Sequence, residues 1–243
     1  MKLHIESAGV WFPDCENGTP LNAILSNGTL PTSIWPKLAF VPPMQRRRLS
    51  PFAKIALYVA HQASEHTNND LPMIFSSRHG DLHKTSDLLA DLALNNELSP
   101  TAFSLSVHNA VAGLYSILTK NKSAINAIAS GQDSLFMALI DAYARLKSGI
   151  CHKVLLVHVD QALPSIYDTF KDEVQIDHAI ALVLSLDESQ KNAFEMKFES
   201  HKNIVNTANQ MPAALNFYAW LNSKKSNLNI ISTRYHWYCF KNV

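Results

Sequence analysis

The sequence predicts an α/β fold. Short, continuous apolar runs of strand length, at residues 154–159 and 178–186, alternate with helical patterns at residues 49–63 and from 134 onward. Composition agrees, because 47% of the 243 residues are hydrophobic and 17% are charged. That is ample apolar material for a core and too little charge for a disordered chain.

The elements follow in order. Residues 2–12 read as a first strand, and a long connection punctuated by Pro, Asn and Gly runs from there to about residue 43, with a short helix expected near 33–38. Leu49, Phe52, Ala56, Val59, Ala60 and Ala63 recur at helical spacing, with Ser50 and Pro51 as N-cap and first helical residue. A strand at 71–76, a helix at 81–94, a mostly helical stretch at 99–119 and a third strand at 124–129 come next. Ser130-Gly131-Gln132-Asp133 has the form of a capping box ahead of the apolar run 135–140, so a helix is expected there, lying between layers. Beyond the buried strands, a strand at 194–199, a helix at 212–221 and one last strand at 228–238 complete the chain. No repeat or clean linker divides it, so residues 1–243 are read as a single domain.

Several function classes are disfavoured. With 21 Lys+Arg against 20 Asp+Glu there is no charge footprint for nucleic acid. No signal peptide or membrane-spanning run is evident, and three well-separated cysteines, Cys15, Cys151 and Cys239, suit a reducing cytoplasm. Seven scattered glycines leave no GxGxxG, P-loop or GxSxG. The eleven histidines form no HExxH or HxH and show no carboxylate at ligand spacing, so neither a metal nor a cofactor is expected.

Three segments carry a resemblance: Arg47-Arg48-Leu49-Ser50-Pro51 at a helix start, residues 99–113 with His108-Asn109, and Gly131-Gln132 at a turn. Together with the element order they resemble the N-terminal half of a β-ketoacyl synthase in the thiolase-like fold. That likeness implies a half-fold with a mixed five-stranded sheet, helices on both faces and a C-terminal strand-helix-strand extension. More narrowly, the chain looks like the short ketosynthase-like chain length factors of aryl polyene biosynthesis. Pro212-Ala213-Ala214-Leu215, Trp220-Leu221 and Trp237-Tyr238-Cys239-Phe240 are similar to that subgroup as well.

In active synthases of the resembled family a cysteine stands at the turn after the third strand. Here Gln132 occupies that place, and a carboxamide cannot form an acyl thioester. The family's two catalytic histidines belong to a C-terminal half, and no HGT or HN-x-F-G motif occurs here. The resemblance therefore implies no catalytic residue. It implies a full-length ketosynthase as heterodimer partner and an acyl carrier protein reached through the complex. By the same likeness the segment with Phe103, Leu105 and Val107, together with Gln132, lines the interface or acyl tunnel. Gln132 itself is read first as satisfying backbone groups at a helix start, and His108-Asn109 as a hydrogen-bonded core pair. Arg46-Arg47-Arg48 is read as a solvated helix entrance, and Cys151 as an idle thiol. An acyl-thioester hydrolase or decarboxylase on the same fold, or a purely structural partner, are the alternatives.

Overall fold

The computed structural model describes residues 1–15, 20–21, 34–67, 70–189, 192–202 and 207–241. An eight-stranded mixed sheet organises them, in the order β3-β2-β4-β5-β1-β6-β8-β7. Its strands are β1 (Lys2–Trp11), β2 (Met73–Ser76), β3 (Ile125–Ile128), β4 (Lys153–Asp160), β5 (His178–Ser185), β6 (Ala193–Ser200), β7 (Asn227–Ile231) and β8 (Tyr235–Phe240). β2 pairs in parallel with β3 and β4, and the other ladders are antiparallel.

Helices cover both faces, as expected for a thiolase-like arrangement. The helices are α1 (Pro43–Arg46), α2 (Pro51–Ser64), α3 (Leu82–Ala93), α4 (Pro100–Ser104), α5 (Ala110–Thr119), α6 (Ser134–Lys147) and α7 (Ala213–Leu221), with a 3-10 turn at Ser165–Phe170. α2 and α5 pack on one face against Leu155, Val157, Ala181 and Val183. α6 and α7 pack on the other against the alternate residues Leu156, Ile180, Leu182 and Leu184. β4 and β5, buried on both faces, therefore read as unbroken apolar runs rather than alternating ones. α2 begins as the sequence predicts, with the Ser50 hydroxyl accepting from the Ala53 amide at 3.1 Å.

β1 changes face midway. A register shift between Ile5 and Ser7 leaves Leu3 and Ile5 in the α6 layer but turns Trp11 into the α2 layer. After that bulge Gly9 lies under α2, where a Cβ would come within 2.4 Å of the Val59 carbonyl oxygen. No side chain fits there.

The sheet has eight strands, not five, because the C-terminal segment continues it instead of forming a separate extension. The single last strand expected at 228–238 is a hairpin, β7 and β8, turning at Ser232–Arg234. That turn lacks a glycine; the Ser232 hydroxyl holds it by accepting from the Arg234 and Tyr235 amides at 3.2 and 3.0 Å. The short helix expected near 33–38 lies partly outside the described residues, and residues 34–38 are not helical. Pro36 biases Trp35 toward extended backbone, and the Trp35 ring stacks on Trp11 with centroids 5.5 Å apart.

Candidate functional site

The turn between β3 and α6 sits at the carboxyl ends of the parallel strands β2, β3 and β4, where open α/β sheets gather their chemistry. Gly131 has φ +59, a left-handed conformation that favours glycine. The half-buried Gln132 that follows is tied to distant segments. Its Nε2 donates to Thr207 Oγ1 at 2.6 Å and lies 3.4 Å from both the carbonyl and the carboxylate of Asp172. Its Oε1 accepts from the Thr233 amide at 3.3 Å, and Thr207 in turn donates to the Asp172 carbonyl at 2.7 Å.

The capping box does not form. α6 starts at Ser134, and its N-cap residue Asp133 makes no side-chain cap. The buried Asp133 carboxylate instead accepts from the Trp237 indole at 2.7 Å and pairs with Arg234 at 3.3 Å. Arg234 also donates to the Ser130 carbonyl and hydroxyl, at 2.6 and 2.7 Å. Long-range partners have outcompeted the local cap. As the sequence predicts, the first turns of α6 are inside: Leu135, Phe136, Ala138 and Leu139 are buried, with Phe136 stacked on Trp237 at 4.8 Å.

Beneath this turn lies a buried polar network that sequence reasoning did not find. Arg78, just past β2, pairs with Asp172 at 2.5 Å and Glu173 at 3.1 Å, its side chain only 12% exposed. The Arg78 amide donates to Asp160, which also accepts from the Ser77 hydroxyl at 2.8 Å. Burial, only partly offset by those hydrogen bonds, pushes the Asp160 carboxyl up to about 7. Burial likewise raises Glu173 against the lowering effect of Arg78, and holds His158 and His178 below the ordinary imidazole range. His158, Asp160 and His178 converge here. The overlooked signal was His158-x-Asp160: residues two apart on a strand share a face.

The remaining expected residues divide between surface and interior. Phe103 and Val107 project outward, 61% and 50% exposed, whereas half-buried Leu105 turns toward Leu49, Val111 and Leu114. His108 is half-buried and hydrogen-bonds the Ser77 carbonyl at 3.0 Å, but Asn109 is exposed, so the two do not form a core pair. A groove lined by His108, Asn109, Gly113 and residues of β3 runs along the sheet edge, and Ile117 on α5 is largely exposed. Arg47 and Arg48 are exposed at the α2 entrance. Burial raises the thiol of half-buried Cys151 and pushes that of buried Cys239 up to about 12.

The chain belongs to the β-ketoacyl synthase N-terminal-domain family, whose model matches residues 24–239. Among solved structures, it is similar to a chain of the ketosynthase ApeO in complex with its chain length factor ApeC from Xenorhabdus doucetiae. That match has 24% identity and a TM-score of 0.80, covering 99% of this chain and 100% of the other. The ishigamide ketosynthase/chain length factor matches with 14% identity and a TM-score of 0.63, over 82% of this chain and 68% of that one. AntDE:AntF, a type II polyketide synthase acyl-carrier protein in complex with its ketosynthase bound to the hexaketide, matches with 11% identity and a TM-score of 0.59, over 82% and 70%. A search of the curated proteins finds no match. Among the described residues no helix is long and apolar enough to cross a membrane.

Proposed function

We propose that this chain is the non-catalytic chain-length-factor subunit of a heterodimeric β-ketoacyl synthase, one that builds an aryl polyene or a related polyketide- or fatty-acid-like chain. Gln132 carries the reading. At the turn where an active synthase of this family presents its cysteine, the side chain is a carboxamide engaged with Thr207, Asp172 and Thr233. It offers no ionisable nucleophile for an acyl thioester. None of the three cysteines stands at that turn: Cys15 follows β1, Cys151 precedes β4 and Cys239 is buried in β8.

Unpartnered surface supports a heterodimer. β3 is a sheet edge whose residues are all half-buried, and an open edge of this kind calls for cover. α3 buries none of its twelve residues, and Leu89 and Leu92 stand exposed on it. Isolated helices of that length are marginal in water, so packing by a partner would account for this one. Phe103, Val107 and Ile117 extend the apolar surface. A ketosynthase covering this side would bury roughly 2,000 Å² or more, as obligate pairs do.

In this reading the partner supplies the cysteine, both histidines and the decarboxylative condensation of malonyl units on acyl carrier protein. This chain, read as one ketosynthase-like domain, supplies interface and part of the tunnel wall. No cofactor takes part. The likeness to chains from ketosynthase/chain length factor structures supports the assignment. The test is to incubate the purified chain with acyl and malonyl carrier proteins, alone and with the cognate ketosynthase. Product should form only when both proteins are present; condensation or hydrolysis by this chain alone would overturn the assignment.

A further inference from the structure

The carboxyl end of β4 and the amino end of β5 bring two imidazoles and a carboxylate together. Asp160 stands opposite His178 in the antiparallel register, and His158 lies two residues back on the same face of β4. All three side chains are buried, and one donor atom from each lies within 4.8 Å of the others.

The proton inventory leaves this cluster short. A carbonyl oxygen only accepts, so the 2.8 Å contact with the Ile176 carbonyl places the His178 proton on Nδ1. Its Nε2 is then a bare lone pair, buried and without a hydrogen-bond partner. Ser76 donates its one hydroxyl proton to the Ser134 carbonyl at 2.9 Å, so its oxygen accepts from His158 Nδ1 at 3.1 Å. That leaves His158 Nε2 bare as well, 3.3 Å from Asp160 Oδ2. Two nitrogen lone pairs and an Asp160 carboxyl oxygen share one buried space, and neither imidazole brings a proton to it. The surroundings favour a cation, since among the described residues Asp160, Asp172 and Glu173 stand close to one counter-charge, Arg78.

We propose that His158, Asp160 and His178 form a binding site for a divalent transition-metal ion of the zinc class. Two imidazoles and one carboxylate suit such an ion, whereas magnesium and calcium prefer all-oxygen sites. The orienting contacts of a built site are present: the Ile176 carbonyl and the Ser76 hydroxyl fix both imidazole tautomers with Nε2 free. The Ser77 hydroxyl and the Arg78 amide fix the carboxylate. Bonds of about 2.0–2.2 Å require the donor atoms to close in by a small side-chain adjustment. The ion would fasten β4 to β5 and, through Ser76 and Ser134, brace the floor beneath the Gln132 turn. Its role is structural.

The test uses the full chain, stripped with a chelator and titrated with Zn²⁺. One equivalent should bind and raise the melting temperature, and Co²⁺ in its place should give visible d–d bands. His178→Gln and Asp160→Asn, each confirmed folded by circular dichroism, should weaken uptake by about 100-fold, the upper range seen when even supporting residues of a metal site are lost. X-ray absorption on the zinc-loaded wild-type chain gives a reading that needs no variant. It should show two imidazoles and a light-atom shell. Failure to bind one equivalent, a sulfur-containing shell, or undiminished uptake by folded variants would overturn the site.

Discussion

Replacing Arg78 with methionine tests the network under the Gln132 turn. The substitution keeps an unbranched stem in a side-chain site that is 12% exposed and removes the charge facing Asp172 and Glu173. The two acids do not contribute equally. Asp172 is 39% exposed and can turn to water, so its pair is worth about 1 kcal/mol or less. Glu173 is 17% exposed and would remain behind as an uncompensated charge. Breaking a buried pair in this way costs about 3–5 kcal/mol, and the residual exposure points to the lower end. With a urea m-value of about 2 kcal/mol/M, a loss of about 3 kcal/mol moves the midpoint down by about 1.5 M. Adding Glu173→Gln should return part of that loss, because the orphan charge is gone. The deficit should also depend on pH. Burial already raises Glu173 above its ordinary 4.5, and losing the lowering effect of Arg78 raises it further, so in the variant its ionisation costs more as pH rises through that raised value. The Arg78→Met deficit should therefore be larger at pH 7.5 than at pH 4.5. A midpoint shift below about 0.3 M, or no recovery in the double variant, would refute the assignment of charge balance to this arginine.

Three further outcomes follow from the same geometry. Intact-protein mass spectrometry should find the wild-type chain unacylated after exposure to acyl carrier protein thioesters, and Gln132→Cys should not by itself restore condensation, because in the proposed heterodimer the enolate-stabilising histidines come from the partner. Alanine at Phe103, Leu105 or Val107, with the heterodimer confirmed intact, should shift products toward longer chains for at least one position, since close-packed walls yield little; unchanged lengths at all three would remove the gate from this segment. Cys239, whose thiol burial pushes up to about 12, should resist alkylation at pH 8 in the native chain and react only on unfolding; rapid native labelling would contradict the packing of β8.

What the sequence revealed and what it concealed divide by the range of the interactions. Ser50-Pro51 marks the start of α2 because an N-cap and a helical proline act within four residues, and the apolar runs of β4 and β5 reflect burial on both faces. The sequence does not show the β7–β8 hairpin as two strands, because Ser232, not a glycine, makes its turn. Asp133 reads from the sequence as part of a cap because its actual partners, Trp237 and Arg234, are about a hundred residues away. Distance hid the cluster beneath the turn too. His158 and Asp160 carry a two-residue strand spacing, but His178 joins them only through the β4–β5 register. Gln132 was legible as a departure from a family pattern; the partners that hold it, Thr207, Asp172 and Thr233, come from three separate loops.

The most direct test of the heterodimer is the mass in solution of this chain co-expressed with its cognate ketosynthase, measured by light scattering after gel filtration. A one-to-one complex that survives dilution and high salt is expected, because the exposed Leu89, Leu92 and Ile117 on α3 and α5 would be buried by contacts that salt does not screen. Charge reversal at exposed apolar positions, such as Val107→Asp with Ile117→Glu, should split it into separate proteins that remain folded. A stable monomer that ignores the co-expressed ketosynthase would contradict the central claim.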